Sequence, residues 1–167
     1  MESMHIVRYR DGERAAYGIL EDGVVRQASG DPFSGLTPGA EVGPLEEVTL
    51  LPPVEPSKIV AIGLNYLDHI TQDAHGFEQP ENPIIFLKPP SSLLAHGGNI
   101  VLPRGTERVE SEAELAVVIG RRARYVPAER AYDYILGFTC SNDVSARDYQ
   151  FKDGQWVRAK GFDTFTP

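Results

Sequence analysis

The stretch Arg108–Gly120 places three acids at alternate positions, Glu110, Glu112 and Glu114, ahead of an apolar run, Leu115–Ile119, that Gly120 ends. Successive strand side chains point to opposite faces, so residues two apart share one. Read as a strand, the segment sets Glu112 and Glu114 side by side where the chain enters its core. Adjacent carboxylates repel one another and resist losing water. A hard divalent cation relieves both costs, because Mg²⁺ and Mn²⁺ favour carboxylate oxygen. The plain alternative is an edge strand with solvated acids, since E-x-E is a weak signal by itself.

A metal site needs a further oxygen ligand, and Asp143 is the natural candidate, in the polar cluster that follows a short apolar strand. As a short acidic side chain it would equally serve as a helix cap. Lys160, a lone cation among small and aromatic residues, would neutralise a substrate carboxylate or stabilise an enolate; its plain alternative is a surface lysine. His69 follows Asn65, Tyr66 and Asp68 in a turn opened by Gly63, and imidazole titrates near neutrality. A solvated turn histidine is the competing reading. Cys140 ends an apolar strand and is expected to be a small buried hydrophobe.

These residues need elements to hold them. His5–Tyr9, Ala15–Leu20 and Val24–Gln27 read as strands separated by the turns Asp11-Gly12 and Asp22-Gly23, a small meander. Residues 28–56 are rich in Gly and Pro, with Leu45–Leu50 as a candidate strand. Pro52, Pro53 and Pro56 mark a linker, so the division falls into a small N-terminal β domain with linker, 1–56, and a second domain, 57–167. In the second domain, Lys58–Ile62, Pro83–Leu87, Asn99–Leu102 and Gly137–Cys140 read as strands. The segment after Gly63 fits one or two helical turns, and Pro127–Ile135 is the best helix. The fold class is mainly β with a few short helices (α+β).

The 167 residues suit one domain with a core, or a core domain with an appendage. A formal charge of −8 offers no basic field to a nucleic acid. A single cysteine forms no internal disulfide, and neither a secretion signal nor a membrane span is legible. Cytoplasmic residence is the expectation.

Five ordered segments together resemble the fumarylacetoacetate hydrolase family: KIVAIGLNYLDH, PIIFLKPPSSL, VESEAELAVVIG, GFTCSNDVSARDYQ and KGFDTF. The resemblance covers Lys58 to Pro167 and is similar to members acting as 2-hydroxyhepta-2,4-diene-1,7-dioate isomerases or acylpyruvate hydrolases. It implies a mixed β-sandwich roll of the fumarylacetoacetase C-terminal type. It also implies Mg²⁺ or Mn²⁺ held by Glu112, Glu114 and Asp143, and a 2-oxo or 2-hydroxy-enoic acid substrate. By motif position Lys160 matches a lysine near metal and substrate, Gln150 a substrate-contacting glutamine, and His69 the histidine of a lid that Gly63–Tyr66 leads into. Tyr66 falls on the substrate side.

Two departures matter. Many hydrolytic members carry a glutamate three residues after the lid histidine; here that position is Gln72, followed by Asp73. Glutamine is no base, so either Asp73 substitutes or water activation weakens, which favours isomerase or decarboxylase chemistry. Relatives also continue through further strands beyond KGFDTF, so the chain is expected to be incomplete at its C-terminus. The implied reaction is C–C hydrolysis or isomerisation in aromatic-compound catabolism, through an enolate that Lys160 and the metal stabilise. The alternatives are an oxaloacetate-type decarboxylase, a non-catalytic ligand-binding member, or a structural Ca²⁺ site. A homodimer is expected by analogy with relatives.

Overall fold

The computed structural model describes residues 4–72 and 79–167. Four strands open the chain: β1 (His5–Asp11), β2 (Arg14–Glu21), β3 (Val24–Asp31) and β4 (Gly35–Pro44), antiparallel in the order β1-β2-β3-β4. Asp22 and Gly23 both take positive φ, as a two-residue primed hairpin turn requires. Alternation buries Tyr9, Ile19, Val25 and Leu36 as the core of this sheet.

Strand β4 is not legible in the sequence. Pro38 reads as a breaker, yet β4 lies at the edge of the sheet, where a missing N–H is tolerated. Register shifts around Arg26 disguise the pairing further. The strand expected at Leu45–Leu50 is instead a 3₁₀ turn, Leu45–Glu47, followed by an isolated bridge from Leu50 to Tyr9.

The remaining strands form antiparallel pairs: β5 (Ile59–Gly63) with β6 (Ile84–Lys88), β7 (Val109–Glu110) with β10 (Ser145–Ala146), and β8 (Ala113–Ile119) with β9 (Ile135–Asn142). Three short helices accompany them: α1 (Leu67–Gln72), α2 (Arg147–Asp153) and α3 (Trp156–Lys160). Val144, Ala146 and Phe165 form a second core cluster, with Val109, Tyr149 and Phe162 packed around it.

Several expectations change. Asn99–Leu102 is not a strand; the Val101 N–H donates to Thr164 Oγ1 at 2.8 Å rather than to a ladder. Ala128–Tyr134 winds as 3₁₀, not α, and buries no side chain that would hold α turns in place. The run Leu115–Ile119 does not dive wholly into a core. Leu115, Val117 and Ile119 are exposed on one face, while Glu114, Ala116 and Val118 on the other are half-buried. Cys140 shares that outward face with Phe138 and is exposed, not buried. No helix among the described residues is long and apolar enough to cross a membrane.

Candidate active site

Glu112 does not lie within a strand. The chain breaks at Ser111 and Glu112 between β7 and β8, yet alternation persists through the break: Glu112 and Glu114 are half-buried while Ser111, Ala113 and Leu115 are exposed. Two hydrogen bonds fasten the break to the end of β9. The Glu112 N–H donates to Asn142 Oδ1 at 3.0 Å, and the Asp143 N–H donates to the Glu112 carbonyl at 2.9 Å. Segments thirty residues apart in sequence are thereby held together, and both present a carboxylate.

Asp143 is not a helix cap, because α2 begins at Arg147 with Ala146 as its N-cap. Its carboxylate is buried and accepts from two ammonium groups, Lys160 at Oδ2 (2.6 Å) and Lys88 at Oδ1. Lys160 is not a surface lysine; it is 2% exposed. Besides Asp143, its Nζ donates to Glu112 Oε2 at 2.9 Å and to Ser145 Oγ at 2.7 Å. An ammonium has three protons, so this group is fully engaged and fixed in place. It also lies 5.3 Å from the Phe86 ring centroid.

Arg147, at the start of α2, reaches Glu110 Oε2 at 2.8 Å, pairs with Glu112, and donates to Gln150 Oε1 at 2.7 Å. A guanidinium only donates, so the Gln150 carbonyl must face Arg147, and its amide N–H₂ is left to donate elsewhere. Glu110, Glu112, Glu114, Asp143, Arg147, Gln150 and Lys160 line one pocket. Tyr66, Phe86 and Trp156 line the same pocket.

Electrostatics separate the acids. Burial pushes the Glu112 carboxyl up, but the Lys160 ammonium and Arg147 guanidinium outweigh burial and hold it below the usual carboxylate range. Glu114 goes the other way. Burial, then the charges of Glu112 and Asp143, raise it, although the Tyr66 hydroxyl donates to it. Burial lowers Lys88, against the opposing pull of Asp143.

The donor set suits a hard divalent cation. Glu112, Glu114 and Asp143 are all-oxygen donors on one pocket, and the raised Glu114 is a carboxylate short of positive charge. As the side chains stand, no three acid, imidazole or thiol groups among the described residues are gathered closely enough to enclose an ion; Lys160 bridges Glu112 and Asp143 instead.

Sequence reasoning thus reached Glu112, Glu114, Asp143, Lys160, Gln150 and Tyr66, all of which line the pocket. His69 lies on α1, with its side chain outside the described structure, and Asp73 falls outside the described residues. Sequence reasoning missed Lys88, Ser145, Arg147 and Trp156. For Lys88 a signal existed: in the strand I-I-F-L-K it is in phase with buried Phe86, so a period of two places it inside.

Comparison with known proteins gives the family. The fumarylacetoacetate hydrolase C-terminal family matches residues 58–167, and a family described as Rv2993c-like, N-terminal matches residues 4–53. The chain belongs to the fumarylacetoacetate hydrolase family, which includes hydrolases and isomerases. It is 56% identical over 129 residues to an uncharacterized protein of Archaeoglobus fulgidus, covering 77% of this chain and 50% of that one. It is 44% identical over 126 residues to the mitochondrial oxaloacetate tautomerase Fahd2a of Rattus norvegicus, covering 74% and 40%. The crystal structure of a 2-hydroxyhepta-2,4-diene-1,7-dioate isomerase from Mycobacterium marinum superposes with a TM-score of 0.83 at 40% identity, over 99% of this chain and 64% of that one. The chain spans about half the length of the curated relatives it matches.

Proposed function

We propose that this protein is a divalent-cation-dependent enzyme that forms an enolate on 2-oxo or 2-hydroxy-enoic acids, and that the reaction its site best supports is a proton shift, isomerisation or tautomerisation. One observation carries the reading: the buried Lys160 ammonium, pinned between Glu112, Asp143 and Ser145 in a pocket that also holds Glu114. A fixed positive charge that need not reorganise is what a developing enolate requires.

Glu112, Glu114 and Asp143 would hold the cation. When bound, it supplies Lewis-acid polarisation of the 2-oxo group. The chain's own side chains do the rest. Lys160 sets a positive potential beside the oxygen that gains charge as the C3 proton leaves. Arg147 holds the Gln150 carbonyl, which leaves the Gln150 amide to donate to a substrate carboxylate oxygen. His69, on the helix after the pocket-lining Asn65–Tyr66 turn, is assigned to carry the proton.

Two considerations favour a proton shift over C–C hydrolysis. Gln72 stands where hydrolytic relatives of this kind hold a glutamate, and similar proteins carry the names isomerase and tautomerase. Decarboxylation would draw on the same enolate.

Deuterium uptake at C3 of oxaloacetate and of 2-oxo acids, followed by proton NMR, tests this. Chelator-treated protein should lose exchange, and Mg²⁺ or Mn²⁺ should restore it. Equal exchange with and without chelator would sink the proposal. Calorimetric binding of oxalate, with turnover of no candidate acid, would leave a ligand-binding member of the family instead.

A further inference from the structure

The Lys160 ammonium is fully engaged, but the element that carries it is slight. Helix α3 has five residues, Trp156–Lys160, and its N-cap, Gln155, makes no side-chain capping bond. So short a helix does not hold itself, and its place must come from what it touches. Trp156 and Lys160 stand one turn apart on one face. Both reach the same ring: the indole meets Phe86 edge-on with centroids 5.6 Å apart, and the ammonium lies 5.3 Å from the Phe86 centroid. The indole also fills the space a side chain at residue 63 would take. A Cβ there would stand 2.8 Å from Cη2 and closer still to Cζ3. A rigid ring cannot yield by bending, so glycine at residue 63 is what lets α3 come this near. The other holds on α3 are weaker. Arg158 pairs with Asp153 and lies 4.2 Å from the Tyr149 ring centroid, but its side chain is half exposed, and solvated pairs contribute little. Ala159 is buried yet brings only a methyl group.

We infer that Trp156, seated on Gly63 and Phe86, is the positioning residue for Lys160. It fixes α3 on the β5–β6 pair, and with it the ammonium that meets Glu112, Asp143 and Ser145. The consequence for the reaction rests on the functional reading above. Gly63 also ends β5 and opens the turn to Tyr66, whose hydroxyl donates to Glu114. One contact therefore ties that turn to the helix carrying the lysine.

The lysines give a readout that needs no turnover. Lys58 and Lys152 are exposed, whereas Lys88 and Lys160 are buried. Brief acetylation of the native protein, read by peptide mass spectrometry, should modify the first two and spare the others. Trp156→Ala should raise the rate at Lys160 about tenfold by local opening. Lys88 should stay protected, because Asp143 and the Phe165 carbonyl hold it, not α3. Trp156→Phe keeps a ring and should stay near wild type. Gly63→Ala should also expose Lys160, and Gly63→Ala/Trp156→Ala no more than Trp156→Ala, since the added Cβ then meets no ring. In the C3 exchange assay Trp156→Ala should lower kcat by on the order of 10–10² while changing KM far less, and should cost almost nothing more in a Lys160→Met background.

Lys160 still protected in folded Trp156→Ala, Lys88 and Lys160 labelled alike, or losses that add in the Lys160→Met background would each overturn the inference. If Trp156→Ala does not fold, Gly63→Ala, which only displaces the ring, decides by the same ratio of Lys160 to Lys88 labelling. Wild-type protein that exchanges no acid overturns the functional reading, and the labelling still judges the positioning role.

Discussion

Lys88→Met removes one buried charge and keeps an apolar stem of similar length. Lys88 is 3% exposed, and its Nζ donates to Asp143 Oδ1 and, at 2.9 Å, to the Phe165 carbonyl. Removing one partner of a buried ion pair costs about 3–5 kcal/mol, because the other charge remains without compensation. Asp143 keeps Lys160 on its second oxygen, which argues for the lower end. The Phe165 carbonyl loses a charge-assisted bond, worth about 1.5–3 kcal/mol, which argues for the upper. A net loss of about 4 kcal/mol follows. For a chain of 167 residues, each kcal/mol moves the midpoint by roughly 2–4 °C, so Tm should fall by roughly 10 °C. Thermal unfolding followed by circular dichroism reads this directly, and a double-mutant cycle with Asp143→Asn should show coupling of about 1–3 kcal/mol. A fall below about 1 kcal/mol, or additive single variants, would mean that Lys88 and Asp143 do not pair in solution, and the reasoning would be refuted.

Two further outcomes are expected. Lys160→Met should cut kcat by on the order of 10²–10³ while changing KM far less, since the interaction strengthens only as charge develops; steady-state kinetics with oxaloacetate checks the split. Asp148 accepts from the Thr106 hydroxyl and from the Glu107 N–H at 3.1 Å, and the Thr106 bond first among causes holds its carboxyl below the usual range. Its native value is depressed, so its contribution is fully present above the unfolded-state value and fades as pH falls through the native one. The Tm difference between wild type and Asp148→Asn should therefore be largest near neutrality and shrink in strong acid.

The site was legible wherever residue type alone restricted the chemistry. Glu112, Glu114, Asp143 and Lys160 stood out as charges beside apolar runs, and all four line the pocket. Alternation also carried Glu112 and Glu114 to one face, even though the strand breaks at Ser111. What stayed hidden depended on partners distant in sequence. Lys88 reads as a strand-ending lysine until Asp143, 55 residues away, is placed beside it. Pro38 reads as a breaker until β4 is known to be an edge. Leu115, Val117 and Ile119 read as core because sequence records apolarity, not what covers it. Trp156 gave no signal at all: its close approach to Gly63 depends on the Cβ that residue 63 lacks.

The Lys88 bonds to Asp143 and Phe165 span 55 and 77 residues. On the ribosome, the β5–β6 hairpin emerges long before either partner exists. Until Asp143 clears the exit tunnel, that lysine lacks the carboxylate it pairs with in the folded chain, and until Phe165 follows it lacks the carbonyl. Closing so wide a loop is slow, so these bonds should form after the β5–β6 pairing they fasten. Charge pairing is then a late lock on this part of the fold, not a seed for it.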